Sequence, residues 1–200
     1  MPGMQTDTAL LVIDVQQSFT RRPYFDASGV AAFLVAQNRL ITSGRALGWR
    51  LVRVFHQTVA PPAAGPADDP FAPASGWVRP LDGLSGFDAH LTVHKTRHSA
   101  LVGTGLDVWL VAQGIRRVVI SGIRTEQCCE TTARHASDLG WAVDFVPEAT
   151  LTWDIAQPGA APLPVAAVRE RTAAVLRGRF ARVLSVDDVL SMPRGEAGDD

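Results

Sequence analysis

The two cysteines of this 200-residue chain are neighbours, Cys128 and Cys129, inside "SGIRTEQCCETTARHASDLG". A thiol can be half of a redox pair, a metal ligand, a small core side chain or a nucleophile. A disulfide between neighbours is strained. A structural zinc site needs further Cys or His at ligand spacing, and the segment has none. Helical geometry separates the pair. With Thr125 as N-cap and Glu126 in the first turn, Cys128 stands near the third helical position, where unpaired backbone N–H groups favour a thiolate. Cys129 is turned by about 100°, onto a small apolar stripe with Ala133, Ala136 and Gly140. Cys128 shares a polar face with Thr132 and His135. The pattern predicts a core role for Cys129 and a site role for Cys128, with plain burial as the alternative for either.

Two further residues could do chemistry beside a thiol. Lys and Arg total 19, and 18 of these are arginine, so Lys95 is the single lysine. An ammonium is compact and can lose its proton in a tight site, which a guanidinium does not. The alternative is chance survival on a solvated surface. Asp14 directly follows the apolar run "ALLVI", where a carboxylate serves as a cap or as a base.

The elements that must position these groups are legible. The short apolar runs "ALLVI", "WRLVRVF", "LTVH", "IRRVVI", "WAVDFV" and "ARVLSV" read as strands. Between them, "GVAAFLVAQNRLITSGRALG", "GTGLDVWLVAQG", "TEQCCETTARHASDLG" and "LPVAAVRERTAAVLRGRF" read as helices. Bare apolar strands alternating with helices predict an open parallel α/β sheet with helices on both faces. No repeat or linker divides the chain, so residues 1–200 read as a single domain. Ligands of such sheets sit at the carboxyl ends of the strands. Asp14, Lys95 and Cys128 each follow a strand, so carboxylate, ammonium and thiol can meet at one edge as a base, a cation and a nucleophile. Residues 58–90 are rich in Pro, Gly and Ala and read as a long functional loop, and "RGEAGDD" reads as a frayed end.

Composition narrows the partners. The net charge of −1, with 20% charged and 46% hydrophobic residues, gives no basic footprint for nucleic acid. No apolar run is long enough to span a bilayer, and no signal peptide is readable. Two adjacent cysteines make no disulfide framework, so a cytoplasmic location is expected.

Three segments, "ALLVIDVQQSF", "VHKTRHSAL" and "SGIRTEQCCETTARHASDLGWAVDFVPEAT", make the chain resemble the isochorismatase-like cysteine hydrolases. Supporting likeness lies in "GTGLDVWLVAQGIRRVVISG" and "GRFARVLSVDDVL". The resemblance implies a Rossmann-like three-layer fold with a parallel six-stranded sheet, and a homodimer or homotetramer. It places the nucleophile after Gly122, Thr125 and Glu126, at Cys128. It implies a non-proline cis peptide at Ile123–Arg124, and an oxyanion hole from the N–H groups of Arg124 and Cys128. Asp14 then acts as base toward the thiol and toward the hydrolytic water, and Lys95 balances charge between the two. Phe19, Trp77 and Trp153 are candidate pocket residues, with ordinary packing as the alternative. The family's nicotinamidases bind a metal through Asp-x-His and further histidines. Here the segment reads "VFHQTVAPP", so His56 stands alone, and neither a metal nor a cofactor is expected. His94, His98 and His135 are expected in structural or surface roles. Asp26 and Glu148 receive no role.

The leading expectation is a cysteine-dependent hydrolase of a small amide, lactam, ureido or carbamoyl compound. The alternatives are a vinyl-ether hydrolase of the isochorismatase type, whose members lack a cysteine at this place, and a binding or redox-sensing protein with a reactive Cys128.

Overall fold

The structure, a computed structural model, describes residues 6–59 and 69–192. Residues 60–68 of the expected loop and the "RGEAGDD" end lie outside the described residues.

Six parallel strands form the sheet: β1 (Thr8–Ile13), β2 (Arg50–His56), β3 (Leu91–Lys95), β4 (Arg117–Ile123), β5 (Ala142–Leu151) and, after a separate hairpin, β8 (Arg182–Val183). Their order is β3-β2-β1-β4-β5-β8. The expected open parallel α/β architecture is therefore the one observed. β1 and β4 are buried along their whole lengths, which is why they read as unbroken apolar runs rather than as alternating ones.

Alternate residues of β1 feed two cores, as the period of two requires. Ala9, Leu11 and Ile13 pack on one face with Leu106 and Leu110 of α2 (Leu106–Ala112), Cys129, Ala133 and Ala136 around α3 (Glu130–Asp138), and Leu176 of α4 (Val165–Leu176). Leu10 and Val12 pack on the other face with Phe33, Leu40 and Ile41 of α1 (Val30–Ala46) and with Val186 and Val189 of α5 (Val186–Ser191).

Three elements differ from the sequence reading. β5 runs on to Leu151, and its pairing with β4 jumps from Ile120↔Phe145 to Gly122↔Thr150. A small antiparallel hairpin, β6 (Ile155–Gln157) and β7 (Ala160–Leu163), stands apart from the main sheet. The expected last strand "ARVLSV" shrinks to two residues, because Ser185 caps α5. The Ser185 side chain accepts from the Asp188 N–H, and the Asp188 side chain accepts from the Ser185 N–H. That reciprocal pair is the capping box spelled by "SVDD".

The strand order reverses direction between β1 and β4, the place where open α/β sheets leave a crevice at their carboxyl ends. Asp14 follows β1, and Cys128 follows β4, so the two straddle that point.

Candidate active site

Asp14 leaves β1 in the left-handed region, with φ of 52°; among the described residues it is the one non-glycine with positive φ. Aspartate tolerates this region better than most side chains. Its N–H donates to the Val54 carbonyl at 2.8 Å, which holds the bend against β2. The side chain is completely buried.

Lys95 is the last residue of β3, two strands away from β1. At about 4.8 Å per strand, its side chain has to cross β2, a reach that a short cation would lack. Its ammonium stands 2.7 Å from Asp14 Oδ2, with both side chains fully buried. It donates to Cys128 Sγ at 3.2 Å and to the Arg97 carbonyl at 3.1 Å, and lies 3.2 Å from His56 Nδ1. The three groups expected at one edge thus converge on a single nitrogen. With 1% exposure, Lys95 is no solvated survivor.

Cys128 enters from a π-helical turn, Thr125–Cys129, that precedes α3. The peptide bond Ile123–Arg124 is cis, as the resemblance implied. Thr125 does not cap the turn. It is buried, and its hydroxyl donates to Thr150 Oγ1 at 2.8 Å, which ties the turn to the end of β5. Cys129 is wholly buried in the α2–α4 core with Ala133 and Ala136, while Gly140 at the end of that stripe is exposed. Thr132 and His135, on the face of Cys128, serve the loop after β3. Thr132 Oγ1 accepts from the Ala100 N–H at 3.0 Å and donates to the Cys128 carbonyl at 2.6 Å, and Ser99 Oγ lies 2.8 Å from His135 Nδ1.

The electrostatics reverse one expectation. The helix start was expected to favour a thiolate at Cys128. Instead burial, and then the Asp14 carboxylate, push the thiol up to about 12 against the pull of Lys95. Burial also raises Asp14, opposed by Lys95 and by the thiol. The Lys95 ammonium and the Cys128 thiol both hydrogen-bond to the buried carboxylate, and both favour its charged form. Burial works against the charge on Lys95, but Asp14 and Cys128 together hold its proton more firmly than usual. Two acids therefore share one buried ammonium, and ionising both would leave uncompensated charge in the core. The arrangement keeps a thiol beside a carboxylate that can take its proton when an electrophile arrives.

Two histidines complete the surroundings. Gln16, fully buried, holds both backbone groups of His56: its Oε1 accepts from the His56 N–H at 2.8 Å, and its Nε2 donates to the His56 carbonyl at 3.0 Å. Burial, then Lys95 and His98, lower the His56 imidazole to about 4, so it is neutral at neutral pH and can accept from Lys95. A divalent cation does not fit at a nitrogen that faces an ammonium 3.2 Å away. Among the described residues no group of three His, Cys, Asp or Glu is arranged to hold a metal ion. The second histidine, His98, is exposed and places Nδ1 3.8 Å from Cys128 Sγ. Gln16 does not stand out by spacing in the sequence; His98, three residues after Lys95, was expected only in a structural or surface role.

The candidate pocket aromatics separate. Phe19 and Trp153 are buried and stack at 5.8 Å in a cluster with Phe71, Tyr24 and Phe25. Trp77 is half-buried, with the Arg21 guanidinium 4.6 Å from its ring. The Arg124 side chain pairs with Glu126 at 3.0 Å and lies 4.9 Å from the Tyr24 ring. Asp26 receives the Ser28 N–H at 2.8 Å, and Glu148 receives the Val186 N–H at 3.4 Å. His94 packs on Phe55 at 5.5 Å.

Comparison with known proteins matches residues 8–187 to the family described as "Isochorismatase domain". Streptothricin hydrolase of Streptomyces noursei is 32% identical over 190 residues, covering 94% of this chain and 63% of that protein. The ureidoacrylate amidohydrolase RutB of Variovorax paradoxus is 27% identical over 175 residues, covering 72% and 69%. Among solved structures, a hydrolase of the isochorismatase family from Chromobacterium violaceum superposes with a TM-score of 0.81 at 26% identity, covering 96% of this chain and 97% of that one.

Proposed function

The chain belongs to the isochorismatase family of hydrolases, and we propose that it cleaves the C–N bond of a small amide, lactam, ureido or carbamoyl compound through a thioester on Cys128. The observation that carries this reading is the convergence of Asp14, Lys95 and Cys128, with one ammonium 2.7 Å from the carboxylate and 3.2 Å from the sulfur. The amidohydrolase among the relatives supports the choice of a C–N bond.

In the first half-reaction Cys128 Sγ bonds to the carbonyl carbon. Its proton passes to Asp14 as the sulfur attacks, which removes the need for a standing thiolate. The C–N bond then breaks, and the nitrogen leaves with the proton that Asp14 held. Lys95 keeps its charge throughout and offsets whichever of its two neighbours is anionic. The N–H groups of Arg124 and Cys128 are the proposed donors to the oxyanion, a contribution worth about 3 kcal/mol per donor in comparable sites. Water finally replaces sulfur at the carbonyl carbon.

The test is ammonia release from a panel of small amides and ureido acids by wild type, Cys128→Ser and Cys129→Ser. The reading expects at least one substrate to turn over, with activity lost in Cys128→Ser and kept in Cys129→Ser. Activity that survives in Cys128→Ser contradicts the thioester and favours the ether-hydrolase alternative.

A further inference from the structure

The edge of the sheet opposite Asp14, Lys95 and Cys128 carries a second concave surface, and this one is apolar. Among the described residues six valine or leucine side chains are exposed, and three of them, Val108, Val111 and Leu139, border one open groove of about 780 Å³. Singly exposed apolar residues are ordinary, but a cluster marks a contact surface. The groove lies between α2 and the turn that leads from α3 into β5, beside Arg116 at the start of β4. Its two walls are tied together, since the Trp141 indole N–H donates to the Ile115 carbonyl at 3.0 Å.

The patch is complementary to itself. Val108 and Val111 stand one turn apart on α2 and project into solvent, 69% and 70% exposed. They are knobs, and the groove beside them is the recess for such knobs. A surface that holds both fits a copy of itself turned about a two-fold axis. The charges have the same property. Asp107 and Arg116 line the groove, and among the described residues neither forms an ion pair. An acid and a base left unpaired on one face can each meet the other's counterpart across that axis.

We propose that this groove is the contact between two copies of the chain. Val108 and Val111 of each copy seat in the groove of the other, and Asp107 of each faces Arg116 of the other. The family resemblance implied a homodimer or homotetramer and named no face. Asp14, Lys95 and Cys128 follow the carboxyl ends of β1, β3 and β4, whereas the groove borders the starts of β4 and β5. Both active-site edges therefore stay open in the pair.

The test is sedimentation velocity of the full chain over a concentration series, for wild type, the Val108→Glu/Val111→Glu pair, Asp107→Arg, Arg116→Asp and the double charge reversal. Wild type is expected at twice the 21.4 kDa of one chain, or as a tetramer of such pairs. The valine pair is expected to halve that mass with an unchanged far-UV circular dichroism spectrum, because both side chains are exposed. Each single reversal sets like charges opposite one another and is expected to raise the dimer Kd by about tenfold or more, and the double reversal to restore it. A wild type of single-chain mass at every concentration overturns the proposal. So does an oligomer that the valine pair leaves intact, or a double reversal that associates no better than the single ones.

Discussion

Asp14 and Cys128 compete for one cation, and that competition has a measurable sign. The carboxylate raises the thiol, so removing its charge in Asp14→Asn leaves Lys95 to favour the thiolate alone. Alkylation of Cys128 by iodoacetamide at pH 7 is then expected to quicken, by about tenfold for each pKa unit relieved. Hydrolysis in the same variant falls by about 10³-fold, because the base is gone. Lys95→Met acts the other way on alkylation and slows it. Slower alkylation in Asp14→Asn would contradict the shared-cation account. At this scale the sequence was informative about identity but not about charge state. Lys95 stood out as the only lysine, and helical phase separated Cys128 from Cys129. The reading of Cys128 as a ready thiolate came from the helix start alone. Asp14 was already expected beside the thiol, but the burial of both groups, which raises the thiol, is not revealed by any local pattern around residue 128.

The elements bring these groups together through close backbone approach. Gly122 has φ of 130°, and a Cβ there would lie 1.9 Å from the Ile13 carbonyl oxygen, the last residue of β1 before Asp14. Gly122→Ala should therefore cost about 4 kcal/mol or more, because backbone must move rather than a side chain. Thermal unfolding would show the loss, and a melting temperature equal to wild type would contradict it. Thr132 links the loop after β3 to the nucleophile's own carbonyl. Thr132→Val leaves the buried Ala100 N–H without its acceptor, at a cost of about 1–3 kcal/mol in a denaturant titration. The strands and the four longer helices were readable because each is a periodic or unbroken apolar segment. The β6–β7 hairpin was not, since its residues are mostly exposed and carry no apolar alternation. α5 had a legible start in "SVDD", obscured by the apolar run before it. The π-helical turn has no signal of its own; Thr125 resembles a cap until β5 supplies Thr150 as its partner.

Across the whole molecule, two cores on opposite faces of one sheet hold a polar centre at its carboxyl edge, and the centre's stability depends on pH. His56 is lowered from 6.5 to about 4, first by burial and then by Lys95 and His98, with Asp69 opposing. Between those values the unfolded chain binds a proton that the native state refuses. The contribution is therefore fully present above about pH 6.5 and is lost as pH falls toward 4. Urea unfolding at pH 7 and at pH 4.5 should show a smaller drop for His56→Gln than for wild type; equal drops would contradict this origin. That Asp14, Lys95 and Cys128 meet at one edge of the sheet was legible because strand ends and chemical types are both local information. Gln16 was passed over because its contacts with His56 come from the pairing of strands rather than from any local pattern. The account as a whole rests on the sulfur of Cys128 becoming covalently bonded to substrate. The most direct measurement is a peptide map of wild type, acid-quenched during turnover of p-nitrophenyl acetate, beside Cys128→Ser. An acetyl group on Cys128, absent from the variant together with turnover, is the predicted result. Product formation with no acyl group on Cys128 under any quench, and with turnover intact in Cys128→Ser, would contradict the account.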